Sequence, residues 1–372
     1  MNHFKNLHSY DIVSDRGFAK YFHGREEIIK DFNNVLGDFA TSNKGTTFLI
    51  QGAPGVGKTA LLFKFREIAK KKGWKVVNIK ANALWNRESL NEYIGVEKPI
   101  QIDKTSAKAG MGPVAIAANI KFSKKSIVEI LKTGKQPLLL TLDEAQTLGT
   151  ENYPPATSRG EVIEVLDSIH NGELERALVF VVSGLGITRK NFKSFGISRF
   201  NSRCFHSLSF LEKKAERDII NDWLKKEGDA KGDPTLWIDT IANETHQWAH
   251  HVMSYVNPAI NLLKKNDGHM TSKLLKKVLI AGRQDRYDYY ESRVADFDRD
   301  ERQSIVKAFV DDTSSEGFTR RDIVFFLEKV FDKKEAVDLF DKALLYGVIS
   351  LEGDAYKIPI PSMKRWLLSK YS

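Results

Sequence analysis

The sequence predicts an α/β fold, a parallel sheet flanked by helices. An all-α unit follows, then a terminal unit of helices and one hairpin. Three observations carry this. First, the apolar run Thr47-Phe48-Leu49-Ile50 passes through Gly52-Ala53-Pro54-Gly55-Val56-Gly57-Lys58-Thr59 into Ala60–Phe65, which has helical spacing. Second, Pro137–Leu142 and Ala177–Leu185 are short, almost wholly apolar runs, the pattern of strands buried on both faces of a parallel sheet. Third, from Leu211 onward the periodicity is helical, over 212–226, 234–243, 246–263 and 271–281.

Length and composition bound the rest. At 372 residues, two or three domains are expected. The 42% hydrophobic and 28% charged content is ordinary for a globular protein. The apolar runs are too short to span a membrane, and Met1–Leu7 carries no apolar signal region. Cys204 is the single cysteine, which excludes an intrachain disulfide and a cysteine zinc site; a reducing, cytoplasmic setting is expected. The net charge of +9 suits an acidic partner such as DNA, or equally a solvated lysine-rich surface. Its distribution is uneven. Residues 286–372 hold 15 Lys and Arg against 17 Asp and Glu, a net −2, which leaves +11 for the first 285.

In chain order, residues 1–20 read as an N-terminal arm. A core over 21–208 begins with Tyr21-Phe22-His23-Gly24-Arg25-Glu26-Glu27, where Gly24 breaks the chain and the acids open a helix to about Leu36. The glycine loop then fits G-x-x-x-x-G-K-[ST] between a strand and a helix, the context that gives the pattern its meaning. Glycines let successive N–H groups face a phosphate, and the helix N-terminus adds its own donors. Gly52, Ala53, Pro54, Gly55, Val56, Gly57, Lys58, Thr59 and Ala60 are thus expected to bind a nucleoside triphosphate. Lys58 reaches the outer phosphates and Thr59 holds Mg²⁺. A second strand is predicted at 74–81 and short helices at 88–95 and from 126 to about 131. Between them, 104–125 holds five lysines and no acid: a loop reaching nucleic-acid phosphates, or an excursion at the sheet edge.

Asp143 and Glu144 follow the strand at its carboxyl end, where α/β sheets place ligands. Asp143 is expected to hold the Mg²⁺ shell and Glu144 to polarise the attacking water. A helix over 159–170 precedes the next buried strand, which ends at Ser183. That hydroxyl either faces the γ-phosphate or caps the next helix. The last unit, 286–372, reads as helices at about 288–296, 299–311, 319–329 and 335–345. The segments 348–351 and 356–359 form a hairpin, and a final helix carries Trp366. Helices followed by a hairpin wing suggest a winged-helix domain. Its candidate recognition helix, Lys334–Ala343, has three acids against two lysines, so packing or a protein partner is favoured over DNA readout there. Contact with DNA would fall to Lys333, Arg320, Arg321, Lys364 or Arg365.

The ordered boxes resemble AAA+ P-loop ATPases of the origin-initiator and transposition-regulator group, whose Walker B box matches Leu142-Asp143-Glu144-Ala145-Gln146. The resemblance covers about residues 21–280. It implies ATP and Mg²⁺ as ligands, a helical lid over 209–285 and assembly into a homo-oligomer, commonly on DNA. It brings Tyr21, Phe22 and His23 near adenine, with core packing as the alternative. Ser202-Arg203-Cys204 resembles the box in which clamp loaders donate an arginine to the neighbouring subunit's ATP. Arg203 is the first candidate for that role and Arg199 the second. The lid departs from the pattern: Gln247 and Ala249 stand where a Gly-x-Pro segment touches nucleotide, and His250 is the residue left to substitute. A signalling switch that recruits a protein without DNA is the alternative reading.

Overall fold

The computed structural model describes residues 21–94, 126–149, 153–309, 318–352 and 354–371. The predicted N-terminal arm and the lysine-rich stretch 104–125 lie outside them. Five parallel strands, β1 (Gly45–Gly52), β2 (Lys75–Asn78), β3 (Leu138–Leu142), β4 (Leu178–Gly184) and β5 (Phe205–Leu208), form one sheet in the order β2-β3-β4-β1-β5. All of β3 and β4 is buried, as their unbroken apolar runs predict. The register aligns Leu142 with Val182, and Ile50 with Ser183. The ends of β1, β3 and β4 therefore form one carboxyl edge.

Helices cover both faces. On one side, α1 (Glu26–Ser42) and α2 (Lys58–Lys71) clamp β1. Phe32 stacks on Phe65 at 3.8 Å, and Phe48 meets both rings edge-on. Such pairs add about 0.5–1.5 kcal/mol each beyond area burial. On the other side lie α3 (Arg87–Ile94), α4 (Ile127–Lys132) and α5 (Arg159–His170). The short α4 is held at both ends. Ser126 and Glu129 form a capping box. At the other end the buried Arg176 donates to the carbonyls of Leu131, Thr133 and Gln136. A further helix, α6 (Thr188–Ser194), follows β4.

The lid helices are α7 (Lys213–Lys226), α8 (Thr235–Thr245), α9 (Ala249–Lys264) and α10 (Ser272–Val294). Two predicted boundaries change. The helix expected from 246 begins at Ala249, because His246 and Gln247 take left-handed conformations, φ 53° and 61°. Buried Glu216 fixes that turn by accepting from the Gln247 N–H at 2.7 Å and from the Thr245 hydroxyl. The helices expected at 271–281 and 288–296 are one helix, α10, of 23 residues.

Beyond α10 stand α11 (Arg299–Ala308), α12 (Arg320–Leu327), α13 (Lys333–Leu345), the antiparallel hairpin β6 (Ser350–Glu352) and β7 (Ala355–Lys357), and α14 (Met363–Tyr371). A bridge from Phe318 to Tyr356 ties α12 to the hairpin. These are the elements of the predicted winged helix. Their apolar side chains share one core with α1, α2 and the glycine loop: Phe32, Val56, Trp248, Tyr290, Phe297, Leu339, Val348 and Trp366 are continuous. The terminal unit thus packs against the nucleotide-loop side of the sheet.

Candidate functional site

The glycine loop follows β1 at the carboxyl edge of the sheet. Gly55 and Gly57 take φ of 76° and 101°, conformations open to glycine at little cost. At Gly55 space as well as angle demands glycine: a Cβ there would lie 2.8 Å from both the His250 Cβ and the Tyr289 hydroxyl. The lid therefore reaches the loop directly, and the His250 N–H donates to the Gly55 carbonyl at 2.9 Å. Pro54 is covered from the other side by Gly347 of the terminal unit. Ala53 and Val56 are buried, while Gly52, Gly57 and Ala60 are partly so.

Lys58 is 5% exposed, and its ammonium donates to the carbonyls of Gly52 and Ala53, both at 3.0 Å. Burial pushes it below the ordinary lysine range, against the upward pull of the Glu144 and Asp143 carboxylates. Asp143 gathers the polar groups of three strand ends. It accepts from the Thr59 hydroxyl at 2.6 Å, from the Ser183 hydroxyl and from the Glu144 N–H at 3.0 Å. Ser183, fully buried at the end of β4, thus points to Asp143. Glu144 is exposed, its backbone is left-handed at φ 55°, and its carboxylate accepts from the Gln146 side-chain amide.

Oxygen donors from Thr59 and Asp143 suit Mg²⁺, which prefers few protein ligands beside substrate phosphates. The loop also meets donors that sequence reasoning did not find. Among the described residues the indole N–H of Trp248, a residue only 2% exposed, has no hydrogen-bond partner, and its nitrogen would lie 3.0 Å from a Cβ on Gly55. Arg293, near the end of α10, lies over the Tyr289 ring at 5.0 Å, and its charge reaches Lys58 and His250. Its Nε is buried without a hydrogen-bond partner among the described residues. Buried donors of this kind beside a glycine loop fit a phosphate. The one signal in the sequence is that Tyr289 and Arg293, four residues apart, share a helix face.

No family model matches the chain, and no curated protein matches it in sequence. Among solved structures it is similar to the ORC2 protein of Aeropyrum pernix in its ADPNP and ADP complexes. The TM-score is 0.52 at 12% identity, over 93% of this chain and 93% of that one. The fold is of the AAA+ type. The chain is also similar to Aeropyrum pernix ORC1 in complex with DNA, with a TM-score of 0.47 at 13% identity over 94% of this chain and 92% of that chain. For the Holliday junction branch migration motor RuvB of Thermotoga maritima the values are 0.46 and 14%, over 94% of this chain and 95% of that chain. At these identities the likeness is one of fold.

Within the AAA+ fold the remaining sequence candidates spread out. Arg203 sits in a single turn before β5 and pairs with Asp38 at 3.1 Å, with about half of each side chain exposed. An exposed pair is worth about 0–1 kcal/mol, so the arginine is cheaply released. Arg199 is exposed nearby. Tyr21 is buried in the lid core: its ring meets Trp223 edge-on at 5.1 Å, and its hydroxyl donates to Glu227 at 3.0 Å. His23 pairs with Asp222 of α7 at 2.9 Å, and Phe22 packs against the shared core. These contacts pack the segment against the lid and the shared core. Arg25 donates to the carbonyls of Ser209 and Phe210, which ties the start of α1 to the joint between β5 and the lid. His250 stacks on Tyr289 at 3.7 Å; burial first, and Arg293 second, push its pKa down to about 3. At neutral pH it therefore offers a neutral imidazole, and the cation whose charge reaches it is Arg293.

Proposed function

We propose that this protein binds ATP with Mg²⁺ at the glycine loop and hydrolyses it, and that the bound nucleotide drives assembly of several copies on DNA. The supporting observation is the carboxyl-edge cluster, in which Asp143 receives Thr59 and Ser183 while Glu144 stands beside it. Lys58 and the loop N–H groups hold the phosphates, and Thr59 and Asp143 hold Mg²⁺. The ion neutralises phosphate charge when bound. Glu144 accepts a proton from the attacking water, and Ser183 keeps Asp143 oriented. Arg293 and the Trp248 N–H supply the lid-side donors that the sequence pattern lacks. Arg203, first, and Arg199, second, serve the site of a neighbouring copy; their exposure on the surface supports this. DNA contact belongs to the basic first 285 residues.

A second reading has its own observation. The groove between α11 and α13 is lined by Asp298, Glu301, Glu335 and Asp338, with Lys342 as its one cation among the described residues. Such a surface repels phosphate and suits a basic protein segment, as a signalling switch that recruits a protein would need. The ATPase reading is tested by Glu144→Gln. It should retain ATP binding and lose hydrolysis by roughly 10²–10⁴-fold, the usual worth of a general base. An unchanged turnover rate in that variant would remove Glu144 from the mechanism.

A further inference from the structure

We infer that Gln146 is a positioning residue that couples Glu144 to the docking of the terminal unit. This rests on the reading of Glu144 as the general base. Gln146 is 5% exposed, and every polar group of its side chain is engaged. Its Oε1 accepts from the Leu185 N–H at 3.1 Å, which forces its Nε2 to face, and donate to, the Glu144 carboxylate. Asn191 of α6 holds the same turn by donating to the carbonyls of Gln146 and Leu148, at 3.0 and 2.8 Å. Gly184 makes room for the amide, since a Cβ there would lie 2.9 Å from Oε1.

The other end of this link touches the terminal unit. A Cβ on Gly186 would lie 2.9 Å from the Ser350 hydroxyl and 3.2 Å from the Leu351 carbonyl, both in β6. A Cβ on Gly347, just before β6, would lie 2.3 Å from Pro54 Cγ and 3.4 Å from Leu185 Cδ1. The hairpin therefore rests on Gly186, and Gly347 before it rests on the side chain of Leu185, whose N–H orients the Gln146 amide, and on the glycine loop as well. While it does so, the Gln146 N–H holds one oxygen of the Glu144 carboxylate and so fixes the direction in which this base faces. When the unit lifts, Leu185 and Gly186 are released, the amide loses its orienting donor and Glu144 is freed. Docking acts as a brake on hydrolysis, and Gln146 transmits it.

The test is a double-mutant cycle on the full-length protein, read as kcat and KM for ATP. Gly186→Leu wedges the hairpin away; Gly186 has no positive φ, so the added side chain acts through the contact with β6. Gln146→Met removes the donor at similar volume. Each should raise kcat by about 10–100-fold, the worth of one hydrogen bond to a charged group, with KM within about twofold. The double variant should be no faster than the faster single. Ser350→Trp presses the same contact from the hairpin side and serves if Gly186→Leu does not fold. Rates that multiply in the double variant, or wedges that leave kcat unchanged, overturn the coupling. Glu144→Gln in the same assay separates the two claims: full activity there removes the general-base reading, whereas loss of activity with multiplying rates removes only the role of Gln146.

Discussion

Asp143 binds the three functional strand ends into one site, accepting from the residue after the P-loop lysine, from the end of β4 and from its own neighbour. The loop and the acidic pair were legible in the sequence because both are local: a glycine spacing between strand and helix, and two acids closing an apolar run. Ser183 was legible as a polar end to a buried strand, but its two readings were separable only by geometry. Trp248, Arg293 and the role of Gln146 were not legible, because each reaches the site through packing between elements distant in sequence. At this scale we expect Arg293→Ala to weaken ATP binding by about 10–100-fold, the worth of a charge-assisted hydrogen bond to phosphate. Titration calorimetry measures this. Unaltered affinity, with the fold intact by circular dichroism, would exclude a phosphate contact.

α10 is the element that the sequence divides and the structure joins. The polar run Ala281-Gly282-Arg283-Gln284-Asp285-Arg286 breaks the apolar periodicity, and a glycine inside a helical pattern reads as a stop. Gly282 has a packing reason instead. A Cβ there would lie 2.3 Å from the Tyr255 ring, so glycine is what lets α9 and α10 approach. The continuous helix carries Tyr289 and Arg293 from the lid to the loop.

On α9, His251 is buried and His250 half-buried, and desolvation chiefly pushes their pKa values down to about 2 and about 3. The folded chain holds both neutral, whereas the unfolded chain takes up protons below the ordinary histidine pKa of about 6.5. Their contribution to stability is complete above that value and is lost as pH falls through the window below it. The thermal midpoint should thus fall from pH 7 to pH 5, and His250→Phe, which keeps the stack on Tyr289, should flatten that slope by about one proton. An unchanged slope would mean that His250 is solvated when the protein is folded.

At the scale of the whole molecule, the terminal unit is the least basic part of the chain, yet it shares a core with the sheet-bearing half. The helices and hairpin of this unit were legible from periodicity and turn chemistry. Its position against Pro54 and Gly186 was not, because both contacts depend on glycines whose value lies in what approaches them. Among the described residues, no helix is long and apolar enough to cross a membrane. Sedimentation velocity tests most directly whether one nucleotide site governs the state of the whole assembly. With Mg²⁺ and a slowly hydrolysed ATP analogue, wild-type protein should sediment as a multiple of its monomer mass, whereas Lys58→Ala should remain monomeric. Wild-type protein that binds the analogue and still sediments as a monomer would contradict the account.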